Sequence, residues 1–468
     1  MRSPFVLLAA CALALAPTGT AGATGWGPLA PPNPHLGPVG TSTMHGDAGS
    51  SDATPFAGPG TGPVSVAAYP LASACPTILQ GSDGLVVALC TAIAGQTPTV
   101  HLLDPGGSAP IGLSLASLEL AKGSLLGGVY AYLDDANRLV AVDGDRKLLR
   151  IGHSRESGRW RLTVEASTDL SGAIPLGDNV TGLVPDWSGN VWFATGKGVV
   201  GFVAPSGAAA TLGLPAGEQV ANSISAAPSG RIAVATTHAL YEFAATGGRP
   251  EILWRAPYER GSARKPGQLS WGTGSTPTYF GPGDGADYLT IVDNADDQVR
   301  VLVFRSGSGE LVCSRPVLTK GGAGSENSPI GIGRSVFVAG TYGYPYPAVP
   351  EGAGPAVPAS APFRGGMTRV DVDENGCRTV WENTVRSAAV PHLSTADGKL
   401  YTVSRVGLDT TTPLDGYLFT VLDPETGAVL SNRPLPGTIV DDPLQTSALI
   451  TSGGRVLQGT ITGILRIS

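Results

Sequence analysis

The sequence predicts an all-β fold, a single β-propeller of about eight four-stranded blades. Three observations carry that reading. Short β-branched runs recur between Gly- and Asp-rich turns, helical patterning is nearly absent beyond the first stretch, and the last repeat lacks a strand that the start of the ring can supply.

The repeating unit is a short strand, a tight turn, a second strand, then a third ending in a polar hairpin. Thr77-Ile78-Leu79 leads through Ser82-Asp83-Gly84 into Leu85 to Leu89, and Val180-Thr181-Gly182 leads through Ser188-Gly189-Asn190 into Val191 to Ala194. Ser223-Ile224-Ser225 leads through Pro228-Ser229-Gly230 into Arg231 to Val234, and Val390-Pro391-His392 leads through Ala396-Asp397-Gly398 into Lys399 to Val403. Looser copies fall near residues 124, 275, 325 and 445. The spacing of roughly 40 to 60 residues fits propeller blades, and seven blades stay open beside eight. Residues 447–450, 455–460 and 463–467 give the last unit only three strands, while Val64 to Leu71 is a lone strand before the first. Joining the two closes the ring and hides both free edges.

Composition agrees. Apolar residues make up 42% of the 468 residues and charged ones 14%, while 66 Gly and 39 Pro punctuate the strands. The formal charge of −7 argues against a phosphate-backbone ligand, so nucleic acid is not an expected partner.

The beginning of the chain reads as an export signal over residues 1–23. Arg2 is the positive end, Phe5 to Ala16 the apolar stretch, and Ala21-Gly22-Ala23 a small-residue cleavage site. Cys11 within Leu8-Ala9-Ala10-Cys11 offers a lipid-anchor alternative, disfavoured by its place inside the apolar stretch. No later run is long enough to span a bilayer. Six lysines against 24 arginines suggest a GC-rich bacterial source. Residues 24–63 form a leader rich in Gly, Pro and Ser, either a linker or a segment packed on the propeller of residues 64–468.

Removing the signal leaves Cys75, Cys90, Cys313 and Cys377. An even set in an exported chain suggests disulfides, and we expect Cys75–Cys90 and Cys313–Cys377, each within or between neighbouring repeats. The spacings match no zinc motif.

In a four-stranded blade the loops between second and third strands share a face with the connections between blades. Tyr342 to Arg364 and Arg405 to Asp415 are insertions at such loops, and Gln268, Ser270, Ser275, Asn327 and His392 lie at entrances of innermost strands. Together with Asn294 they are expected to converge on one mouth of the central channel, the default ligand site. His45 and Asp47, two apart, are expected to share a face of an extended segment and act with His392 as acid–base candidates. Gln268, Asn294, Asn327, Tyr342 and Tyr344 are the ligand-binding candidates. Asp293, Asn294, Asp296 and Asp297 suggest calcium weakly, because the EF-hand Gly and distal Glu are missing and turn formation explains the cluster; no metal site is assigned. There is no G-x-S-x-G elbow, P-loop or dinucleotide fingerprint.

Leu422-Asp423-Pro424-Glu425-Thr426-Gly427-Ala428-Val429-Leu430 resembles the repeat of quinoprotein-like propellers, the fold of bacterial PQQ alcohol dehydrogenases, and Leu103-Asp104-Pro105-Gly106-Gly107 is a weaker copy. Lys265-Pro266-Gly267-Gln268, Gly274 to Thr278, Asp293 to Asp296 and Gly376 to Trp381 resemble segments of secreted PQQ-like repeat proteins. The resemblance covers most of the chain from about residue 77 and implies a fold more than an activity. It departs from the dehydrogenases in having no adjacent cysteines, and in ending its good motif in Leu430 rather than Trp, so no cofactor is expected.

Three functions remain in view. A secreted enzyme acting on an extracellular carbohydrate or small molecule comes first, a non-catalytic binding propeller second, and a quinoprotein dehydrogenase last. A monomer is expected.

Overall fold

Aspartates at the heads of several hairpins fold the chain back on itself. The carboxylates of Asp134, Asp143 and Asp186 each accept hydrogen bonds from main-chain N–H groups two and four residues on, which closes the turn and sets the register of the strands beside it. The computed structural model describes residues 25–107, 109, 111–123 and 130–468. The signal reading of residues 1–23, with its anchor alternative at Cys11, lies outside them.

The described residues form eight antiparallel sheets. Numbering blades along the chain, their innermost strands are Ser73–Gln80, Tyr132–Leu133, Val180–Pro185, Ser225–Ala226, Thr278–Phe280, Ile330–Ile332, His392–Ser394 and Leu449–Ile450. Eight blades, not seven, is the count. Seven blades are built from consecutive strands. The eighth takes Leu449–Ile450, Val456–Gly459 and Gly463–Ile467 from the end of the chain and its outermost strand, Val66–Pro70, from the start. Val66–Pro70 runs antiparallel to Gly463–Ile467, with Ala68 opposite Leu465.

Apolar clusters lie between successive sheets all the way round. Leu79, Val87 and Leu89 of blade 1 pack on Leu133, Leu139 and Ile151 of blade 2. Tyr69, Leu449, Leu457 and Ile464 of blade 8 pack on Cys75, Ile78 and Val86 of blade 1. Burying one such side chain is worth roughly 1.5–3 kcal/mol, so the seam between first and last blades is held as the others are.

Two disulfides join the cysteines as expected from the sequence. Cys75–Cys90 links the first two strands of blade 1, and Cys313–Cys377 links the outermost strands of blades 5 and 6. No helix among the described residues is long and apolar enough to cross a membrane.

The middle of the leader, residues 41–54, lies inside the ring. Trp26 sits at the lower face, where first and second strands turn, its ring against Phe337 and under the Arg369 guanidinium. The chain then enters the channel and passes from blade to blade. Main-chain carbonyls of Thr41, Ser42, Ala48, Gly49, Ser51, Asp52 and Thr54 accept hydrogen bonds of 2.7–3.0 Å from Gln80, Leu133, Ala226, Tyr279, Gly331, Leu393 and Thr395. Those donors belong to blades 1, 2, 4, 5, 6 and 7 and would otherwise point into the channel unpaired. Ala53–Thr54 also pairs in parallel with Leu393–Ser394, adding a fifth strand to blade 7.

Candidate functional site

Because the leader fills the channel, the upper face ends in a bowl rather than a through-hole. Its floor is the leader tip, Met44 and His45, and its walls are the inter-blade connections and the loops between second and third strands. The bowl encloses about 450 Å³, lined largely by apolar groups such as Ile93, Leu269, Tyr346 and Val390.

His45 is oriented from behind. Its Nδ1 lies 2.9 Å from Asp52 Oδ1, and Asp52 is fully buried. A carboxylate can only accept, so Nδ1 donates and the Nε2 lone pair is turned to Thr276, whose hydroxyl is 3.3 Å away. Both His45 and Thr276 line the bowl. His392 Nε2 approaches the same Asp52 oxygen at 3.6 Å without a hydrogen bond and is no part of the bowl lining, and burial holds its imidazole below the ordinary histidine range. One carboxylate thus joins the two histidines singled out from the sequence.

Asp47 does not join them. The extended segment expected around His45 is instead a tight turn at Gly46, φ 87°, where a Cβ would press on the Ala53 carbonyl. Asp47 is swung away to accept from the Ser51 hydroxyl at 2.5 Å and the Ser51 N–H at 3.2 Å. Burial raises its carboxyl to about 6, yet its partners are the turn's own.

The ligand-binding candidates separate by location. Asn327 lines the bowl, its Nδ2 donating to Gln445 Oε1 at 2.9 Å. Gln268 is buried and saturated: its Oε1 accepts from the Lys265 N–H, and its Nε2 donates to Gly272 and Ser325 carbonyls. Asn294 is likewise buried, with Nδ2 holding the Arg260 and Ala263 carbonyls. Tyr344 is a core anchor rather than a ligand contact, since its hydroxyl donates to Asp442 and its ring meets Phe363 edge-on. Tyr342 lies at a second cavity, of about 410 Å³, between blades 5 and 6.

That second cavity explains the acidic hairpin. The Lys265 ammonium donates to the carbonyls of Ala295 at 2.5 Å and Ala323 at 2.8 Å, beside Asp293, Asp296 and Asp297. Among the described residues no group of three or more His, Cys, Asp or Glu could hold a metal ion.

Sequence reasoning missed Glu326, one residue before Asn327. It is 8% exposed and lines the bowl, and among the described residues neither carboxylate oxygen makes a well-formed hydrogen bond. Burial pushes its carboxyl up to about 8, against the smaller opposing pull of the Leu269 backbone, Asn222 and Arg264. Its position at an innermost-strand entrance was the available signal.

No family model matches the chain. A protein of Archaeoglobus fulgidus, described as uncharacterized, is 30% identical over 185 residues, which is 38% of this chain. The chain spans about a third of that relative's length, 35%. Among solved structures, the quinohemoprotein alcohol dehydrogenase from Comamonas testosteroni aligns with TM-score 0.55 at 10% identity, covering 94% of this chain and 81% of its own. A europium-containing methanol dehydrogenase aligns with TM-score 0.55 at 9% identity, covering 91% and 98%. At those identities the likeness shows the fold alone, an eight-bladed β-propeller.

PQQ does not fit the bowl. It is a planar quinone bearing three carboxylates and calls for cationic partners. Among the described residues the lining has no lysine or arginine to meet those carboxylates.

Proposed function

We propose that this protein takes a small molecule with an apolar body into the upper bowl and acts on it by proton transfer, with His45 as the base. The observation behind this reading is the alcohol–imidazole–carboxylate line from Thr276 through His45 to Asp52, set in the floor of a ligand-sized cavity. A ligand group taking the place of the Thr276 hydroxyl at Nε2 gives up its proton there. Asp52 holds the tautomer and stabilises the imidazolium that forms. His392 is a positioning residue that braces Asp52 from the other side.

Of the two ligand classes expected, the apolar walls favour a small metabolite over a long carbohydrate. The chain is read as exported, residues 1–23 being the signal, 24–63 the plug and 64–468 the ring, and as working as a monomer. The paired cysteines accord with an oxidising compartment.

Binding without turnover is the second reading, favoured by the Thr276 hydroxyl, which already occupies the Nε2 lone pair. One experiment separates them. The protein is incubated with a panel of secreted metabolites and polysaccharides and followed by mass spectrometry, beside His45→Ala. Product formation lost in the variant supports the enzyme; ligand retained unchanged supports the binder. Sequencing the mature amino terminus tests export.

A further inference from the structure

We propose that the upper bowl selects an organic amine, gripping its ammonium group between Glu326 and the rings of Tyr130 and Tyr346. This rests on the bowl being the ligand site, as proposed above, but not on any reaction there.

The case begins with an unmet demand. A buried carboxyl normally has partners, because leaving one bare costs several kcal/mol. Among the described residues neither Glu326 oxygen makes a well-formed hydrogen bond, the Leu269 backbone and the Asn222 amide giving only a partial pull, and the carboxyl faces the bowl. It is also pinned, since Gly274 passes so close that a Cβ there would meet both the Glu326 backbone and its carboxyl. The Gly274 connection thus packs directly on the carboxyl.

The surroundings suit a cation. Tyr130 and Tyr346 line the same wall, and the Glu326 charge is among the causes that hold both phenols above their ordinary value. Aromatic faces beside a carboxylate attract ammonium groups, more strongly where water is excluded. Tyr130 donates its hydroxyl proton to Asn222 Oδ1 at 3.2 Å, which leaves its ring as the surface offered. Arg264 feels the Glu326 charge, but its guanidinium is spent on the Gly354 and Gln268 carbonyls and is no part of the lining. Among the described residues no lysine or arginine lines the bowl to pair with the carboxylate.

Proton traffic follows. At neutral pH Glu326 holds its proton, so capturing an ammonium displaces about one proton to solvent. Affinity rises about tenfold from pH 7 to pH 9 as the carboxyl ionises through its value near 8. Over that range Tyr130 and Tyr346 stay neutral and Arg264 stays charged.

The test is titration calorimetry of the full mature protein with 2-phenylethylamine, its neutral isostere 2-phenylethanol and the anionic phenylacetate. Each is measured at pH 7 in two buffers of different ionisation enthalpy. The expected result is tenfold or greater preference for the amine, about one proton released, and tightening towards pH 9. In Glu326→Gln the preference and the proton release both vanish. Equal binding of the alcohol, tighter binding of phenylacetate, no proton release, or binding of none of the three overturns the proposal. Proton release by the unaltered protein keeps the test decisive even where the variant folds poorly. Because the readout is equilibrium binding, absence of turnover refutes the acid–base reading and leaves this one standing.

Discussion

Glu326 makes a prediction about stability that needs no ligand. Its carboxyl is raised to about 8 in the folded protein, whereas the unfolded chain titrates near the ordinary 4.5. Below the lower value both states are protonated and the group costs nothing. As pH rises past it, the unfolded chain ionises while the folded protein resists, so stability present below 4.5 is lost progressively until pH passes 8. At about 1.4 kcal/mol per pH unit, the loss is about 1 kcal/mol at pH 5, about 3 at pH 7 and about 5 at pH 9. Glu326→Gln keeps the shape and removes the charge. Its stability relative to the parent should therefore climb by about 4 kcal/mol between pH 5 and pH 9. Urea unfolding of both proteins, followed by tryptophan fluorescence across that range, measures it. Asp47 and Asp293, each raised to about 6 by burial, push in the same direction but are common to both proteins and cancel. A difference that stays flat within 1 kcal/mol would mean that Glu326 ionises like a solvated carboxylate, and the reasoning fails.

Asp52→Asn should leave the fold in place but remove the negative charge that fixes the His45 tautomer and stabilises its imidazolium, while offering an amide donor in its place, lowering turnover on any substrate from the metabolite panel by roughly 10²–10⁴-fold. Tyr69→Ala empties a site that is 2% exposed and loses the hydrogen bond to the Asp104 carbonyl. About 3–5 kcal/mol should go with it, and limited proteolysis should first cut at the seam between blades 8 and 1. Replacing Cys313 and Cys377 by serine opens a crosslink spanning 64 residues, which by chain entropy costs about 4 kcal/mol in urea unfolding, with binding in the bowl unchanged.

The ring was legible because blades repeat a chemical instruction. Asp or Gly at each turn followed by a β-branched run marks a hairpin wherever it occurs, and a missing fourth strand after residue 467 points to Val66–Pro70. The plug was not legible. Its grip is made of main-chain carbonyls, and a carbonyl leaves no mark on residue type; Ala48, Gly49 and Ser51 could be many other short segments. The pairing of His45 with Asp52 rather than Asp47 depends on residues in the left-handed region, Gly46 at φ 87° and Asp52 at φ 50°, where spacing-by-two reasoning no longer applies. Tyr344 and Gln268 were placed on the right face, but an aromatic or amide at a loop serves packing as readily as binding. Glu326 went unnoticed because an isolated glutamate carries no motif. Its meaning comes from what is absent around it.

The closing strand Val66–Pro70 comes after a segment, residues 41–54, that occupies the channel, residues 55–65 leading from one to the other. During synthesis that segment emerges before any blade exists, so the sheets condense around it and nothing has to be threaded through a finished ring. Circular permutation exposes this order. Opening the chain between Pro63 and Val64 and fusing the original ends sends the segment out last, when the blades have already met. Such a permutant has the same final contacts, yet must insert its tail into a closed aperture, and should assemble far more slowly or stop with the channel open.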